Sequence, residues 1–168
     1  MLLTGAGLVG LLRAQSSTVS GEILLVRKDG KPPDNSGAVI WLEPVEGKAP
    51  TKPANFKMVQ KDKRFDPHVL AVPLGSTVAF PNLDPFFHNV FSLFDGRRFD
   101  LGLYEAGASR TVTFPRPGVC FIFCNIHPEM SAVVVVVDSP YYAVTGPKGT
   151  FSIDVPPLLS RQVVDIHY

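Results

Sequence analysis

The sequence predicts an all-β sandwich, and three observations lead to that prediction. The 168 residues include 16 Pro and 14 Gly, two residue types that disfavour helix interiors. Beyond residue 15, no long segment shows the 3.6-residue period of an amphipathic helix. Short runs of β-branched and aromatic residues recur instead between turn residues, and this pattern is typical of two packed sheets.

The predicted strands are the alternating or continuous apolar runs of the sequence. Turn-forming residues such as Gly, Pro and Asn separate them. In chain order the strands are expected at residues 19–26, 38–42, 69–74, 77–80, 110–114, 119–123, 132–137 and 161–167. A chain of this length is expected to form one domain, with an appendage at most.

The first segment, residues 1–14, is interpreted as the apolar part of a secretory signal peptide. It is shorter than the roughly 20 apolar residues needed to cross a bilayer, so no stable membrane insertion is expected. No basic region precedes it, which indicates a signal that is truncated at Met1 or atypical. Cleavage is expected near Ala14, and the protein is expected in the periplasm or exported to the outer surface of a bacterium.

The charge of the chain argues against two classes of partner. The formal net charge is +1, and removing Arg13 with the signal leaves 15 basic and 15 acidic residues. A chain without net charge is not expected to bind nucleic acid or an anionic membrane. The basic cluster Lys57, Lys61, Lys63 and Arg64 is interpreted as a solvated face that could still steer a partner.

Four residues form a complete set of ligands for one copper ion. Cys124, His127 and Met130 lie within seven residues of one another, and His88 lies 36 residues before Cys124. A lone Cys, His or Met is more often a core residue than a ligand. A thiolate, two imidazoles and a weak thioether in one grouping, however, suit copper in both oxidation states, with the thioether as a long axial ligand.

Residues 55–138 resemble the cupredoxins. The resemblance rests on the run from Phe65 to Asp84, on His88-Asn89-Val90, and on Pro117-Gly118 leading into Cys124-x-x-His127-x-x-Met130. The gap between His127 and Met130 is similar to that of amicyanins, and the wider pattern resembles bacterial plastocyanin-like proteins labelled as methylamine-utilisation proteins. The resemblance implies a Greek-key sandwich and a monomeric blue copper protein.

The same resemblance implies roles for residues around the ligands. Asn89 is expected to tie the two ligand-bearing segments together through its side chain, and Asn125 is assigned to the same supporting shell. In cupredoxins the second His reaches solvent through an apolar patch where redox proteins dock. The candidate patch residues here are Leu83, Pro85, Phe86, Phe87 and Pro128.

Cys120 supports an alternative with two copper ions. The spacing Cys120-x3-Cys124 resembles the binuclear copper centre of cytochrome oxidase subunit II, in which two thiolates bridge the metals. The intervening residues, Phe121 to Phe123, are predicted to form a strand. At about 3.3 Å per residue the two Cα atoms would lie about 13 Å apart, too far to share a metal. Cys120 is therefore expected to be a reduced core residue.

The two ends of the chain leave the domain organisation open. Residues 18–50 and 140–168 resemble the first and last strands of a carboxypeptidase-regulatory-like sandwich, with the cupredoxin part inserted between them. Alternatively, these strands extend the cupredoxin sheets.

The predicted function is one-electron transfer by one copper ion between larger redox proteins, such as a c-type cytochrome, a dehydrogenase or an oxidase. No grouping of residues indicates an enzyme: the sequence has no His-x-His pair for a trinuclear copper cluster and no phosphate-binding Gly-rich loop. The second possibility is a module that binds and delivers copper. Only three Met residues are present, and a delivery site would be expected to be richer in Met or His.

Overall fold

The computed structural model describes residues 17–26, 34–44, 47–93 and 97–156, and the backbone alone of residues 162–167. The predicted signal segment, residues 1–14, lies outside this range. The described part of the chain contains strands and turns but no helix, which confirms the all-β prediction. Accordingly, none of the described residues belongs to a helix that could span a membrane.

Fifteen strands lie within the described residues. In chain order they are β1 Ser17–Glu22, β2 Val39–Pro44, β3 Asn55–Lys57, β4 Val59–Lys61, β5 Arg64–Asp66, β6 Val69–Pro73, β7 Thr77–Pro81, β8 His88–Ser92, β9 Phe99–Tyr104, β10 Ser109–Thr113, β11 Gly118–Phe123, β12 Ser131–Val137, β13 Tyr142–Val144, β14 Thr150–Val155 and β15 Gln162–His167. Each of the eight predicted runs overlaps one of these strands. Three-residue strands such as β3 and β4 are too short to show a period in the sequence.

Two sheets form the central sandwich. The larger has the order β6-β12-β11-β8-β9, and the smaller has the order β10-β7-β3. After the β8–β9 hairpin the chain crosses to the smaller sheet for β10 and returns as β11 to lie beside β8. Such crossings between facing sheets are those of a Greek-key sandwich. The sequence did not indicate the two parallel pairs, β12 with β6 and β3 with β7.

The main core lies between these two sheets and follows the alternation of the strands. Along β11, Cys120 and Ile122 are buried while their neighbours are only partly covered, and on β7 the same is true of Val78 and Phe80. Side chains of a strand point to opposite faces in turn. One face of each sheet therefore supplies a single apolar cluster, which also contains Cys124 and Met130.

The terminal strands form their own small sheets. β1 pairs with β14, and β2 lies between β13 and β15, so among the described residues these strands hydrogen-bond with one another and not with the central sheets. A separate apolar cluster, including Ile40, Leu42 and Ile153, lies between them. Whether residues 18–50 and 140–168 form an independent domain stays a prediction.

The terminal sheet also covers the outer face of the larger central sheet. Val39 of β2 packs against Ala71, Val135 and Val137 on the side of β6 and β12 that faces away from the main core. The inner side of β12 contributes Val134 to the main core. Because β12 is covered on both faces, its run of consecutive valines needs no polar alternation.

Candidate metal centre

The pairing of β8 with β11 brings two of the predicted ligands together. His88 is the first residue of β8 and Cys124 directly follows β11, and the two strands pair at Phe91 and Phe123. Both ligand side chains are buried, His88 completely. The backbone N–H of Asn89 lies 3.5 Å from the Cys124 Sγ atom, so the strand that carries His88 also contacts the thiolate position.

The third ligand, His127, is placed by a tight loop. The backbone N–H of Met130 donates to the His127 carbonyl at 2.9 Å, and the N–H of Cys124 donates to the Met130 carbonyl at 3.2 Å. These two bonds close residues 124–130 into a compact turn. Met130 is buried in the same apolar cluster as Cys124, so the residue predicted as the axial ligand is on the inner side of the loop.

Three donor atoms converge at this point. His88 Nδ1 and His127 Nδ1 lie 3.1 Å apart, and the Cys124 Sγ atom lies 3.9 Å from the first and 3.7 Å from the second. The point equidistant from all three is about 2.1 Å away from each; metal–nitrogen bonds are about 2.0–2.1 Å and metal–sulfur bonds about 2.3 Å for zinc, a neighbour of copper. The residues therefore fit a first-row metal ion in a trigonal plane.

The chemistry of the donors gives the same answer. Two imidazole nitrogens that face each other at 3.1 Å repel unless a proton or a cation lies between them. The Cys124 sulfur beside them is the soft donor that distinguishes copper sites from oxygen-rich magnesium or calcium sites. Among the described residues, His88, Cys124 and His127 form the group of potential metal ligands, with all donor atoms within 4.8 Å of one another.

The other ring nitrogen of His88 contacts a residue that the sequence analysis did not single out. His88 Nε2 lies 2.8 Å from the Oδ2 atom of Asp84, and both side chains are buried. Asp84 precedes His88 by four residues, in a turn that returns the chain to the start of β8. The one signal in the sequence was a carboxylate close before a candidate ligand, in Asn82-Leu-Asp84-Pro-Phe-Phe-His88.

Hydrogen bonds from the neighbouring hairpin act on the pKa of Asp84. Burial by itself would raise the pKa of this carboxyl group, but hydrogen bonds from the Lys63 N–H, from His88 and from the Asp62 N–H outweigh it. The pKa of Asp84 therefore lies below its ordinary value. The two backbone donors approach to 2.9 Å and 2.7 Å. A carboxylate with several such donors is stable in its charged form even when buried.

Tyr104 supports His88 from the adjacent strand. It lies directly opposite His88 in the β8–β9 pair, and its hydroxyl donates to the Phe80 carbonyl at 2.9 Å while accepting from the Gln60 amide. Burial raises the pKa of Tyr104 to about 12, and the Gln60 hydrogen bond and the charge of Arg110 oppose this shift. Tyr104 is therefore neutral across the physiological range.

The supporting role predicted for the Asn89 side chain stays a prediction. Its amide nitrogen donates to Asp100 on β9 at 2.7 Å, so the side chain joins two neighbouring strands. The contact with Cys124 is made by the backbone N–H. The β8–β9 pair is irregular between Asn89 and Phe91. Asn125 is exposed on the loop, and its predicted supporting role stays a prediction.

The metal centre opens to solvent on the side of His127. His127 is partly exposed, and the residues predicted to form the apolar patch are exposed: Leu83, Pro85, Phe86, Phe87 and Pro128. Ile126, which the sequence analysis did not include, adds to this surface with 44% exposure. The Phe86 ring contacts both ligand rings, at 5.2 Å from His88 and 5.7 Å from His127. A cluster of exposed apolar side chains of this kind is typical of an interaction surface.

Cys120 is a buried core residue, as predicted. It lies within the continuous strand β11, and its thiol donates to the Ser92 hydroxyl at 3.1 Å. Burial raises the pKa of the Cys120 thiol, which disfavours the thiolate that a metal requires. Both cysteines are free, and within the described residues Cys120 does not belong to the group of converging donors.

Comparison with known proteins gives no match by sequence. No protein-family model matches the chain, and no curated protein matches it.

Comparison with solved structures returns cupredoxins among the neighbours. A purple cupredoxin from Nitrosopumilus maritimus has 24% identity and a TM-score of 0.44, over 48% of this chain and 98% of that one. A single-residue mutant of amicyanin in its Cu(I) form has 21% identity and a TM-score of 0.47, over 49% of this chain and 82% of that one. A copper-containing nitrite reductase from Thermus scotoductus SA-01 has 27% identity and a TM-score of 0.48, over 56% of this chain but 25% of that one.

Proposed function

We propose that this protein binds one copper ion in a type 1, or blue, site and carries single electrons between larger redox proteins. The observation that carries the proposal is the convergence of His88 Nδ1, His127 Nδ1 and Cys124 Sγ within 4.8 Å. Met130, buried on the inner side of the same loop, is proposed as the axial ligand. A soft thiolate with two imidazoles is the ligand set of blue copper sites.

Copper would supply one-electron chemistry between its two oxidation states. The protein would hold the ligands in one arrangement for both states, because His88 lies in a sheet and residues 124–130 are closed by backbone hydrogen bonds. The apolar cluster around Cys124 and Met130 would exclude water from the thiolate side. Little then has to move when an electron arrives, and fast transfer is the expected result.

The exposed apolar surface around His127 is proposed as the place where the partner docks. Leu83 and Phe87 are 59% and 54% exposed, and the Phe86 ring between them in the chain lies 5.7 Å from the His127 ring. Lys63 lies over the Phe86 ring at 5.8 Å, so a cationic group stands at the rim of the surface. We propose a c-type cytochrome, a dehydrogenase or an oxidase as the partner class, and an exported or periplasmic location for the protein.

The first test is a copper titration of the purified metal-free protein. We expect one Cu(II) per chain and intense visible absorption from the Cu(II)–thiolate bond, with reversible loss of colour on reduction. Cys124→Ser should abolish the colour, because a hydroxyl does not replace a thiolate as a charge donor. Copper that binds without colour and cannot be reduced reversibly would contradict electron transfer and favour copper delivery.

A further inference from the structure

The Asp84 carboxylate occupies an unusual position for a charged group. It is 4% exposed, yet both of its oxygens have hydrogen-bond partners among the described residues. One oxygen accepts from the Asp62 N–H at 2.7 Å, and the other accepts from the Lys63 N–H at 2.9 Å and faces His88 Nε2 at 2.8 Å. The Asp84 N–H in turn donates to the Asn82 side-chain oxygen at 3.0 Å.

The contact with His88 decides which ring nitrogen is free. Both oxygens of Asp84 already accept hydrogen bonds from backbone N–H groups, so the carboxyl group acts as an acceptor here, and Nε2 of His88 faces it at 2.8 Å as the donor. The lone pair of the neutral ring is then on Nδ1, the atom that faces Cys124 Sγ and His127 Nδ1. Hydrogen bonds of this kind fix both the tautomer and the orientation of metal-binding histidines.

The contacts with the hairpin fix the carboxylate itself. Asp62 and Lys63 join β4 to β5, and both have left-handed backbone conformations, with φ of 52° and 55°. Two consecutive residues with positive φ are rare outside glycine-containing turns. Asp84 accepts a hydrogen bond from each of them, so the same carboxylate stabilises the turn and is held by it.

We infer that Asp84 is a positioning residue of the metal centre, which holds the His88 ring with Nδ1 directed at the ligand plane and places a buried negative charge beside that ring. This inference rests on the proposed function. The inference predicts the direction of change of both the copper affinity and the reduction potential. A nearby negative charge favours the more positive Cu(II) state over Cu(I), so Asp84 should strengthen Cu(II) binding and lower the reduction potential.

The decisive variant is Asp84→Asn, which keeps the shape of the side chain and removes the charge. We expect Cu(II) affinity to fall about 10–100-fold, as for other residues that orient metal-binding histidines. If Cu(I) affinity is unchanged, the potential rises by about 59 mV for each tenfold loss. The measurements are competitive copper titrations in both oxidation states and protein-film voltammetry.

Asp62→Asn is the matched control. It removes the same charge from an exposed carboxylate in the same hairpin, and Asn also tolerates the left-handed backbone at this position. We expect its affinities and its potential to remain close to those of the wild type. Equal affinities and potentials in Asp84→Asn and Asp62→Asn would overturn the inference and leave Asp84 with a purely structural role in the turn.

A measurement on the wild type keeps the inference testable if Asp84→Asn fails to fold. Long-range ¹H–¹⁵N spectra of the metal-free protein at about pH 8, above the usual histidine pKa, should show His88 protonated at Nε2 and not at Nδ1. The opposite tautomer would contradict the inference. Because this readout needs no copper, it separates a failure of the inference from a failure of the proposed function, which would instead appear as a wild type that binds no coloured copper.

Discussion

The two histidines of the candidate metal centre differ in burial and in the element that carries them. His88 lies in β8 within a five-stranded sheet, completely buried, with Asp84, Phe86 and Tyr104 around it. His127 lies on a seven-residue loop, partly exposed, and is held by backbone hydrogen bonds within that loop. The sheet side, which comprises His88 and the residues around it, therefore contributes a predicted ligand that is fixed before any metal binds. The loop side contributes the ligand that reaches the surface.

Under the proposed function, this difference would separate two tasks of the centre. A rigid, charge-supported ligand defines the preference between the two oxidation states of a metal. A ligand at the edge of an apolar surface would provide the short route to the proposed partner. Substitutions on the sheet side should therefore alter stability and potential, whereas substitutions on the loop side should alter access.

The largest expected difference is in the free energy of unfolding of the metal-free protein, which His88→Ala should lower more than His127→Ala. Removing His88 takes a hydrogen-bond donor away from the buried Asp84 carboxylate and leaves a cavity in the core, and the two effects together should cost about 3 kcal/mol. Removing the partly exposed His127 should cost less than about 1 kcal/mol. Urea unfolding of both variants, with a two-state fit, measures the two losses.

External imidazole sharpens the same comparison. Added to copper-loaded His127→Gly, it should enter the gap from solvent and restore the visible colour, whereas the gap in His88→Gly is closed by the sheet and should not be filled. Equal stability losses, or equal rescue of both variants, would show that the two sides are not distinct.

Tyr104→Phe is expected to have a smaller effect, on the way stability depends on pH in the alkaline range. The pKa of Tyr104 is raised to about 12, so between pH 10 and pH 12 the unfolded chain releases this proton while the folded protein retains it. The stabilisation is therefore complete below about pH 10 and is lost as the pH rises through about 12. Urea midpoints at about pH 9 and pH 11 should fall further in the wild type than in Tyr104→Phe.

That result would show that the Tyr104 hydroxyl is shielded from solvent on the sheet side of the centre. A wild type and a Tyr104→Phe variant with parallel pH dependence would mean that the hydroxyl is accessible to solvent and that the sheet side is less enclosed than its hydrogen bonds to Phe80 and Gln60 indicate.

The smallest effect on the metal is expected from Cys120→Ala. Cys120 lies on β11 and contacts Ser92, so the copper stoichiometry and the visible spectrum should be unchanged. Loss of packing should lower the free energy of unfolding by about 1–2 kcal/mol. Two copper ions per wild-type chain that fall to one in Cys120→Ala, measured by elemental analysis, would instead establish a binuclear centre.

Three of the four predicted ligands could be proposed from the sequence because their signal is local, whereas His88 lies 36 residues before Cys124. Cys124, His127 and Met130 are close in the chain, and a thiol, an imidazole and a thioether at such spacing form a recognisable copper-binding pattern. Asp84 was not accessible in the same way. Its role depends on two contacts made only in the folded chain, with the turn at Asp62 and Lys63 and with His88.

The same contrast holds for the fold. Strands such as β12 and β7 have enough apolar residues to be predicted from the chain itself, whereas their neighbours are set by long-range pairing. The contact of Ser17 with Val155 joins residues near opposite ends of the described chain, and composition contains no information about such a register. The register shift between Asn89 and Phe91 likewise depends on the packed sheet.

The valine run of β12 has a consequence for solubility. Five consecutive valines, Val133 to Val137, are uncharged and strongly β-forming, and exposed segments of this composition associate into intermolecular sheets. In the folded chain the outer side of that run is covered by Val39 and Trp41 of β2 and by Tyr142 of β13. By covering this run, the terminal strands protect the folded chain against aggregation. A chain shortened to residues 55–138 would retain every proposed ligand and lose that protection.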